Sequence, residues 1–419
     1  MEYIRKEYAA YNVHLIKTDR FKTTTIEVNF LRKIKKEEIT IRNFLSEILL
    51  QSTKQYPTKR LLTLKSMELY NANISSSNSR IGNFENLSFS LKFLDEKYTE
   101  EGMFNKTVDF FFDTLFNPDV ENERFNEKSF NIVNKIIYNE IKSIKDNMTK
   151  YSLIKMLEHM GKDEPYSYVG YGYTEDLEKI TPSKLYEYYK DVLKSDKVDI
   201  FVIGNINIDE VLEAINSKFK INTVKKSIGK AMIFHEKVRG RARKIEEWEN
   251  IIQSKLNIGI KLKDLNNYEL RYVLPVYSQI LGGSANSKLF KNVREKNSLA
   301  YYINSVPHIY DNLLLIYSGI SKSDYDKALT LIKKELTNMK KGKITEDEIK
   351  DAKSGIISSI DTITDSQRRI LNMYYTKELV GGDDIEKRIE TFKKVSYNDI
   401  VKLASKIKID TVYLMYGDE

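Results

Sequence analysis

The sequence predicts an α+β protein of two tandem duplicated domains, each a mixed or antiparallel sheet with helices packed on one face. Three observations carry this. Two pairs of matching segments recur in the same order in the two halves. Strands and long helices come in runs and do not strictly alternate. Finally, 41% hydrophobic and 11% aromatic residues against 31% charged, over 419 residues, describe a folded chain long enough to hold more than one core.

In chain order, Leu69-Tyr-Asn-Ala-Asn-Ile, a short gap and Phe84-Glu-Asn-Leu-Ser-Phe-Ser-Leu-Lys-Phe-Leu read as paired alternating strands, followed by a helix beginning near Glu100. Thr181 is an N-cap residue and Pro182 suits the first helical turn after it, with Leu185, Tyr189 and Val192 recurring at helical spacing. That helix leads into the strand-like run Val198-Asp-Ile-Phe-Val-Ile-Gly. The stretch that follows is polar, basic and without period, so a linker is expected at 221–230, between domains at 1–220 and 231–419. Beyond it the pattern returns. Ala300-Tyr-Tyr-Ile-Asn-Ser-Val, a gap and Asn312-Leu-Leu-Leu-Ile-Tyr-Ser-Gly-Ile precede a helix from Lys322, and a helix from Val395 runs into Thr411-Val-Tyr-Leu-Met-Tyr-Gly.

Composition excludes several functions. The 68 basic and 60 acidic residues leave a net charge of +8, too little for a dedicated nucleic-acid binder. Basic runs such as Lys33 to Lys36 and Lys340 to Lys343 sit beside Glu37, Glu38 and Glu346, the pattern of solvated helix faces. The absence of cysteine removes disulfides, thiolate zinc sites, iron–sulfur clusters and cysteine nucleophiles. Met1-Glu-Tyr-Ile-Arg-Lys-Glu has no apolar leader and no run approaches the roughly eighteen apolar residues of a membrane span, so a cytoplasmic location without membrane contact is expected.

The four histidines, His14, His159, His235 and His308, include no pair three or four apart, and Glu158-His159 reads as a structural pair near a helix end. No nucleophile elbow occurs, and no Walker lysine follows Gly282-Gly283. The segment from Ile280 to Tyr301 is more specific. It joins a helix end to a glycine turn, a short helix and a strand, and its glycines let the backbone turn tightly and approach another segment closely. Arg294 and Tyr301 reach one bound group only if the helix-to-strand junction folds back; otherwise they are a helix cap and a core tyrosine.

The run Leu281-Gly-Gly, Ser287-Lys-Leu-Phe, Val293-Arg-Glu-Lys and Leu299-Ala-Tyr resembles the second-half signature of the insulinase and mitochondrial-processing-peptidase family of zinc metallopeptidases. Met339 to Lys353 and Ile180 to Gly204 are similar to further stretches of it. The resemblance implies a peptide substrate gripped by Arg294 and Tyr301, beside the glycine turn Gly282-Gly283, next to a zinc ion held by an inverted H-x-x-E-H motif. Counted back from Thr53-Lys-Gln-Tyr-Pro, that motif falls on Asn43-Phe44-Leu45-Ser46-Glu47, where both histidines and the glutamate are gone. Asn43 offers a weak carbonyl ligand and Glu47 a carboxylate where an imidazole would stand. Ser46 replaces the proton acceptor, a role worth roughly 10²–10⁴ in rate. The distal glutamate ligand corresponds to Glu140.

The resemblance therefore implies a non-catalytic subunit of a heterodimeric zinc peptidase. Zinc is expected only in a catalytic homologue that partners it, while this chain contributes peptide binding and chamber assembly. A homodimer in isolation stays open. The alternatives are a scaffold on the same fold, or an enzyme of altered chemistry.

Overall fold

The computed structural model describes residues 1–219, 221 and 228–418; of the expected linker, 222–227 lie outside them. The described chain forms two compact units, Met1–Ser143 with Val169–Gly229, and Ile144–Tyr168 with Lys230–Glu419. The division thus departs from the expected one in residues 144–168, which the first half sends to the second unit.

The first unit contains β1 (Glu2–Glu7), β2 (Tyr11–Lys17), β3 (Thr23–Lys33), α1 (Ile39–Ile48), α2 (Lys59–Glu68), β4 (Asn73–Ile81), β5 (Phe84–Leu94) and α3 (Met103–Phe116). A small hairpin, β6 (Val120–Glu121) and β7 (Arg124–Phe125), precedes α4 (Glu127–Lys142). Then α5 (Met148–Met160) goes to the second unit, and α6 (Thr174–Leu177), α7 (Pro182–Ser195), β8 (Lys197–Gly204) and α8 (Ile208–Lys218) complete the first. As the sequence predicts, the Thr181 side chain caps α7 by accepting from the Lys184 N–H, and Leu185, Tyr189 and Val192 are its buried face.

The second unit has β9 (Arg243–Trp248), β10 (Ser254–Lys261), a continuous helical stretch whose centre is α9 (Leu274–Ser278), β11 (Tyr302–His308) and β12 (Leu313–Ile320). It continues with α10 (Tyr325–Lys340), α11 (Glu346–Asp361), α12 (Gln367–Val380), α13 (Ile385–Lys394), α14 (Tyr397–Lys406) and β13 (Thr411–Tyr416). No helix among the described residues is long and apolar enough to cross a membrane.

The sheets confirm the duplication strand by strand. The first has the order β1-β2-β8-β3-β5-β4, and the second, read from its far edge, β9-β13-β10-β12-β11. In each, the strand that closes the unit pairs parallel with an edge-side neighbour (β2 with β8, β9 with β13), and the remaining pairs are antiparallel. Removing β1 leaves the same five-stranded mixed sheet twice.

Two expectations need correction. The serine-rich stretch read as a gap after Ile74 is itself the strand β4, paired with β5 from Asn73 to Ile81. It is an edge strand with alternating exposure, where serine and asparagine need no apolar face. The expectation of helices on one face also fails in the second unit. Leu314, Ile316, Val412 and Leu414 face the main core, while Leu313, Leu315, Tyr413 and Met415 face the other way and pack on Met156 and Met160 of α5. Strand β12 is correspondingly a continuous apolar run, the mark of a strand covered on both faces.

Candidate functional site

The chain leaves β3 through a single 3₁₀ turn into α1, the helix that carries the five motif positions. Its apolar residues Phe44, Leu45 and Ile48 enter the first core, and Phe44 stacks on Phe130 of α4 with ring centroids 4.7 Å apart. Arg42, fully buried, fixes the rotation of the helix. Its guanidinium donates to the Phe30 carbonyl at 2.5 Å and to Asp196 Oδ2 at 2.6 Å, while Arg32 holds the other oxygen of Asp196 at 2.5 Å and Glu38 at 2.7 Å. Burial disfavours the charge on Arg42, and Asp196 together with Tyr188 and Glu85 more than offsets it, keeping the guanidinium protonated.

This anchoring decides what the motif positions can do. Asn43 donates to the Gly170 carbonyl at 2.8 Å and accepts from Asn78 Nδ2 at 2.8 Å, so both ends of its amide are engaged by protein. Asn78 passes its other donor to Glu85, a buried carboxyl that desolvation pushes up. Ser46 is buried, and its hydroxyl turns back onto the Asn43 carbonyl at 2.7 Å. Glu47, half-buried, is close enough to Glu140 on α4 that its charge raises the Glu140 carboxyl, second to the desolvation that does most of the raising. Lys59, at the start of α2, also feels Glu47. Burial lowers its ammonium, Glu47 partly restores it, and the Nζ donates to the Leu50 carbonyl at 2.7 Å.

The fold thus brings Asn43, Glu47 and Glu140 toward one place, as the inverted motif and its distal glutamate require. The donor set does not fit zinc. No imidazole stands at either histidine position, the one amide is bonded at both ends, and two carboxylates without a nitrogen ligand make a poor tetrahedral site. The carboxylate that would take a proton from water is a hydroxyl bonded to its own helix.

In the second unit, the helical stretch after β10 runs from Glu269 through α9 to Gly283, with Gly282 leaving helical geometry at φ −159°. Gly282 is buried, and a Cβ there would stand 2.8 Å from the Ser305 amide nitrogen and 2.9 Å from its Cβ. Its missing side chain therefore lets the helix end lie against β11, whereas Gly283 is exposed. A short π-helical turn, Phe290–Glu295, ends in a left-handed Ser298, φ 53°. There the Ser298 N–H donates to the Arg294 carbonyl at 3.0 Å and the Leu299 N–H to Val293 at 3.0 Å. These two bonds close the end of the turn with a left-handed cap.

Beyond it the Tyr301 N–H joins the sheet at the Gly319 carbonyl, 2.9 Å, and its side chain is 63% exposed, so the core-tyrosine alternative is overturned. Arg294 is exposed, lies over the Phe290 ring at 4.7 Å, and has no carboxylate partner among the described residues. The Tyr301 hydroxyl likewise has no partner there. Lys288, in the same segment, donates to Glu348 at 2.7 Å, joining it to α11 and so to the second family-like stretch.

His159 pairs with Glu247 at 2.7 Å and not with its neighbour Glu158, which binds Lys155 at 3.3 Å; the pair is structural, tying α5 to β9. Sequence reasoning missed Lys59, Arg42 and Asn78. For Arg42 a signal existed, a lone charge between the apolar positions of α1.

Residues 179–356 match a family model described as the peptidase M16 inactive domain. The protein named "Probable inactive metalloprotease YmfF" from Bacillus subtilis is 27% identical over 419 residues, spanning 99% of this chain and 98% of its own. The chain is thus similar over residues 179–356 to the M16 inactive domain, and over nearly its whole length to a protein named as a probable inactive metalloprotease. The crystal structure of a conserved protein from Enterococcus faecalis superposes with a TM-score of 0.92, at 26% identity over 99% of each chain. An "Uncharacterized zinc protease YmxG", also from Bacillus subtilis, is 27% identical over 277 residues, 66% of this chain and 64% of its own. The M16 match includes Arg294 and Tyr301 but not Asn43, Ser46, Glu47 or Glu140. The argument about the metal positions therefore rests on their own chemistry.

Proposed function

We propose that this chain is the non-catalytic subunit of a paired M16-type peptidase, present in the cytoplasm, with a zinc-bearing homologue supplying the metal and the proton acceptor. Its own share is to bind the peptide substrate through Arg294 and Tyr301 and to complete the chamber. The observation that carries this reading is a contrast in commitment. At the motif positions the Asn43 and Ser46 side chains are bonded into the protein, whereas Arg294 and Tyr301 stand exposed with their polar groups unengaged among the described residues. An exposed arginine and tyrosine are well suited to a carboxylate or peptide carbonyl, through paired and single hydrogen bonds. That one organism carries relatives named both as an inactive metalloprotease and as a zinc protease supports a division of labour.

A scaffold on the same fold, without a peptidase role, is the second reading, and the same loss of metal donors favours it. One experiment separates the two: co-expression with the zinc-bearing homologue of the same genome, followed by peptide turnover by each chain alone and by the pair. The pair should turn over unstructured peptide in a chelator-sensitive way and well above either chain alone. A homologue that neither binds this chain nor gains activity from it overturns the proposal in favour of the scaffold.

A further inference from the structure

The second unit contains a cavity of about 360 Å³ that neither the motif positions nor the Arg294 and Tyr301 segment touches. Its size falls within the roughly 300–1,000 Å³ of small-molecule sites. One wall is a single stripe of α12, Arg369, Asn372, Met373, Thr376, Lys377 and Val380, spaced alternately three and one apart as neighbours on one helical face are. Apolar residues from elsewhere, Met232, Ile309 and Ile363, also line it. The helix ends there because Gly381 adopts a left-handed φ of 68°.

The charged groups are unevenly matched. Arg271, Arg369, Lys377 and Arg388 line the cavity, against Asp383 on its wall and Asp384 beside it. Lys377 is paired with Asp384 at 2.6 Å, and Asp383 accepts from the Tyr272 hydroxyl. Arg271 donates to the Val380 and Gly381 carbonyls, closing the end of α12, and Arg369 donates to Thr362 Oγ1 at 2.9 Å. Arg388 makes no ion pair among the described residues. Four cations against two carboxylates leave an excess of positive charge around an apolar interior.

We infer that this cavity binds a small amphipathic carboxylate, its apolar body against Met232, Ile309, Ile363 and Met373 and its carboxylate at Arg388 and Arg271. Both parts of the site are needed: an apolar molecule leaves the guanidiniums unmatched, and a bare anion leaves the interior unfilled. The inference is independent of the peptidase reading.

Titration calorimetry of the full chain with decanoate, decan-1-ol and inorganic phosphate tests it. Decanoate should bind saturably at one site per chain, with decan-1-ol and phosphate at least about ten-fold weaker, the size of a lost charge-assisted hydrogen bond. Arg388→Gln should weaken decanoate about ten-fold, and Met373→Trp, which fills the interior, should abolish binding, with both variants melting as the parent does. Should either variant fail to fold, Arg369→Gln, on the α12 wall, provides the second measurement of the charge, with a smaller loss expected. Decan-1-ol binding as tightly as decanoate, no saturable decanoate binding, or an unchanged affinity in Arg388→Gln overturns the inference.

Discussion

The two units carry the same five strands in the same order, yet treat their polar side chains in opposite ways. In the first, the helix after β3 turns its polar residues inward: Arg42 to Asp196, Asn43 to Gly170 and Asn78, Ser46 to its own helix. In the second, the corresponding helix ends in a glycine turn, and the segment that follows it leaves Arg294 and Tyr301 exposed. The sheets differ in the same sense. Asp199 on β8 and Tyr413 on β13 occupy matching positions, each one residue after a core valine. Asp199 is buried in a polar cluster with Asn12 at 2.7 Å, His14 at 3.3 Å and Lys197 at 2.9 Å, while Tyr413 packs into the apolar layer under α5. Polar groups are bonded into the structure in the first unit and left exposed in the second.

The largest test of that contrast is Asp196→Ala. It leaves Arg42 buried with its carboxylate gone and Arg32 short of a partner, and should cost about 3–5 kcal/mol of stability, read as a lower denaturant midpoint. A loss under about 1 kcal/mol would mean that the pair does not anchor α1.

Next is the acid limb. Burial pushes the Asp199 carboxyl up, but His14, Lys197 and Asn12 more than offset this and hold it at about 2, below its usual 3.8. A depressed carboxylate stabilises the fold fully above the unfolded value and loses that contribution as pH falls from about 4 toward 2, about 2 kcal/mol in this case. Asp199→Asn should flatten unfolding free energy over that window, and a parent chain whose stability does not fall there contradicts the account.

The smallest expected effect is at the motif helix. Glu47→Gln removes a charge that opposes Glu140 but favours the Lys59 ammonium, so the two effects offset and stability should change by less than about 0.5 kcal/mol. A loss well above that would mean that the Lys59 interaction outweighs the repulsion from Glu140.

What the sequence made legible was local. The cap of α7 at Thr181 is set by a side chain within three residues of the group it satisfies, and the glycine turn at Gly282 was signalled by the glycine pair itself. The five motif positions came from the family resemblance, by counting back from Thr53-Lys-Gln-Tyr-Pro. What stayed hidden depended on partners distant in sequence. Strand β4 is polar because it lies at an edge; α5 reaches the second sheet by a pairing that its own residues do not announce, although the unbroken apolar run of β12 indicated a second cover. The bonds that retire Asn43 come from Asn78 and Gly170, residues with no local signature. The cavity beside α12 draws its walls from positions as far apart as Met232 and Arg388.

The account is tested most directly by peptide turnover in the assembled pair, with one variant in each unit. Arg294→Ala removes a group held to contact substrate and should lower kcat/KM about ten- to a hundred-fold, while Asn43→Ala and the parent turn over peptide equally once both are shown to fold and associate. Unchanged turnover in Arg294→Ala, or a comparable loss in Asn43→Ala, would contradict the division between a retired first-unit site and a working second-unit one.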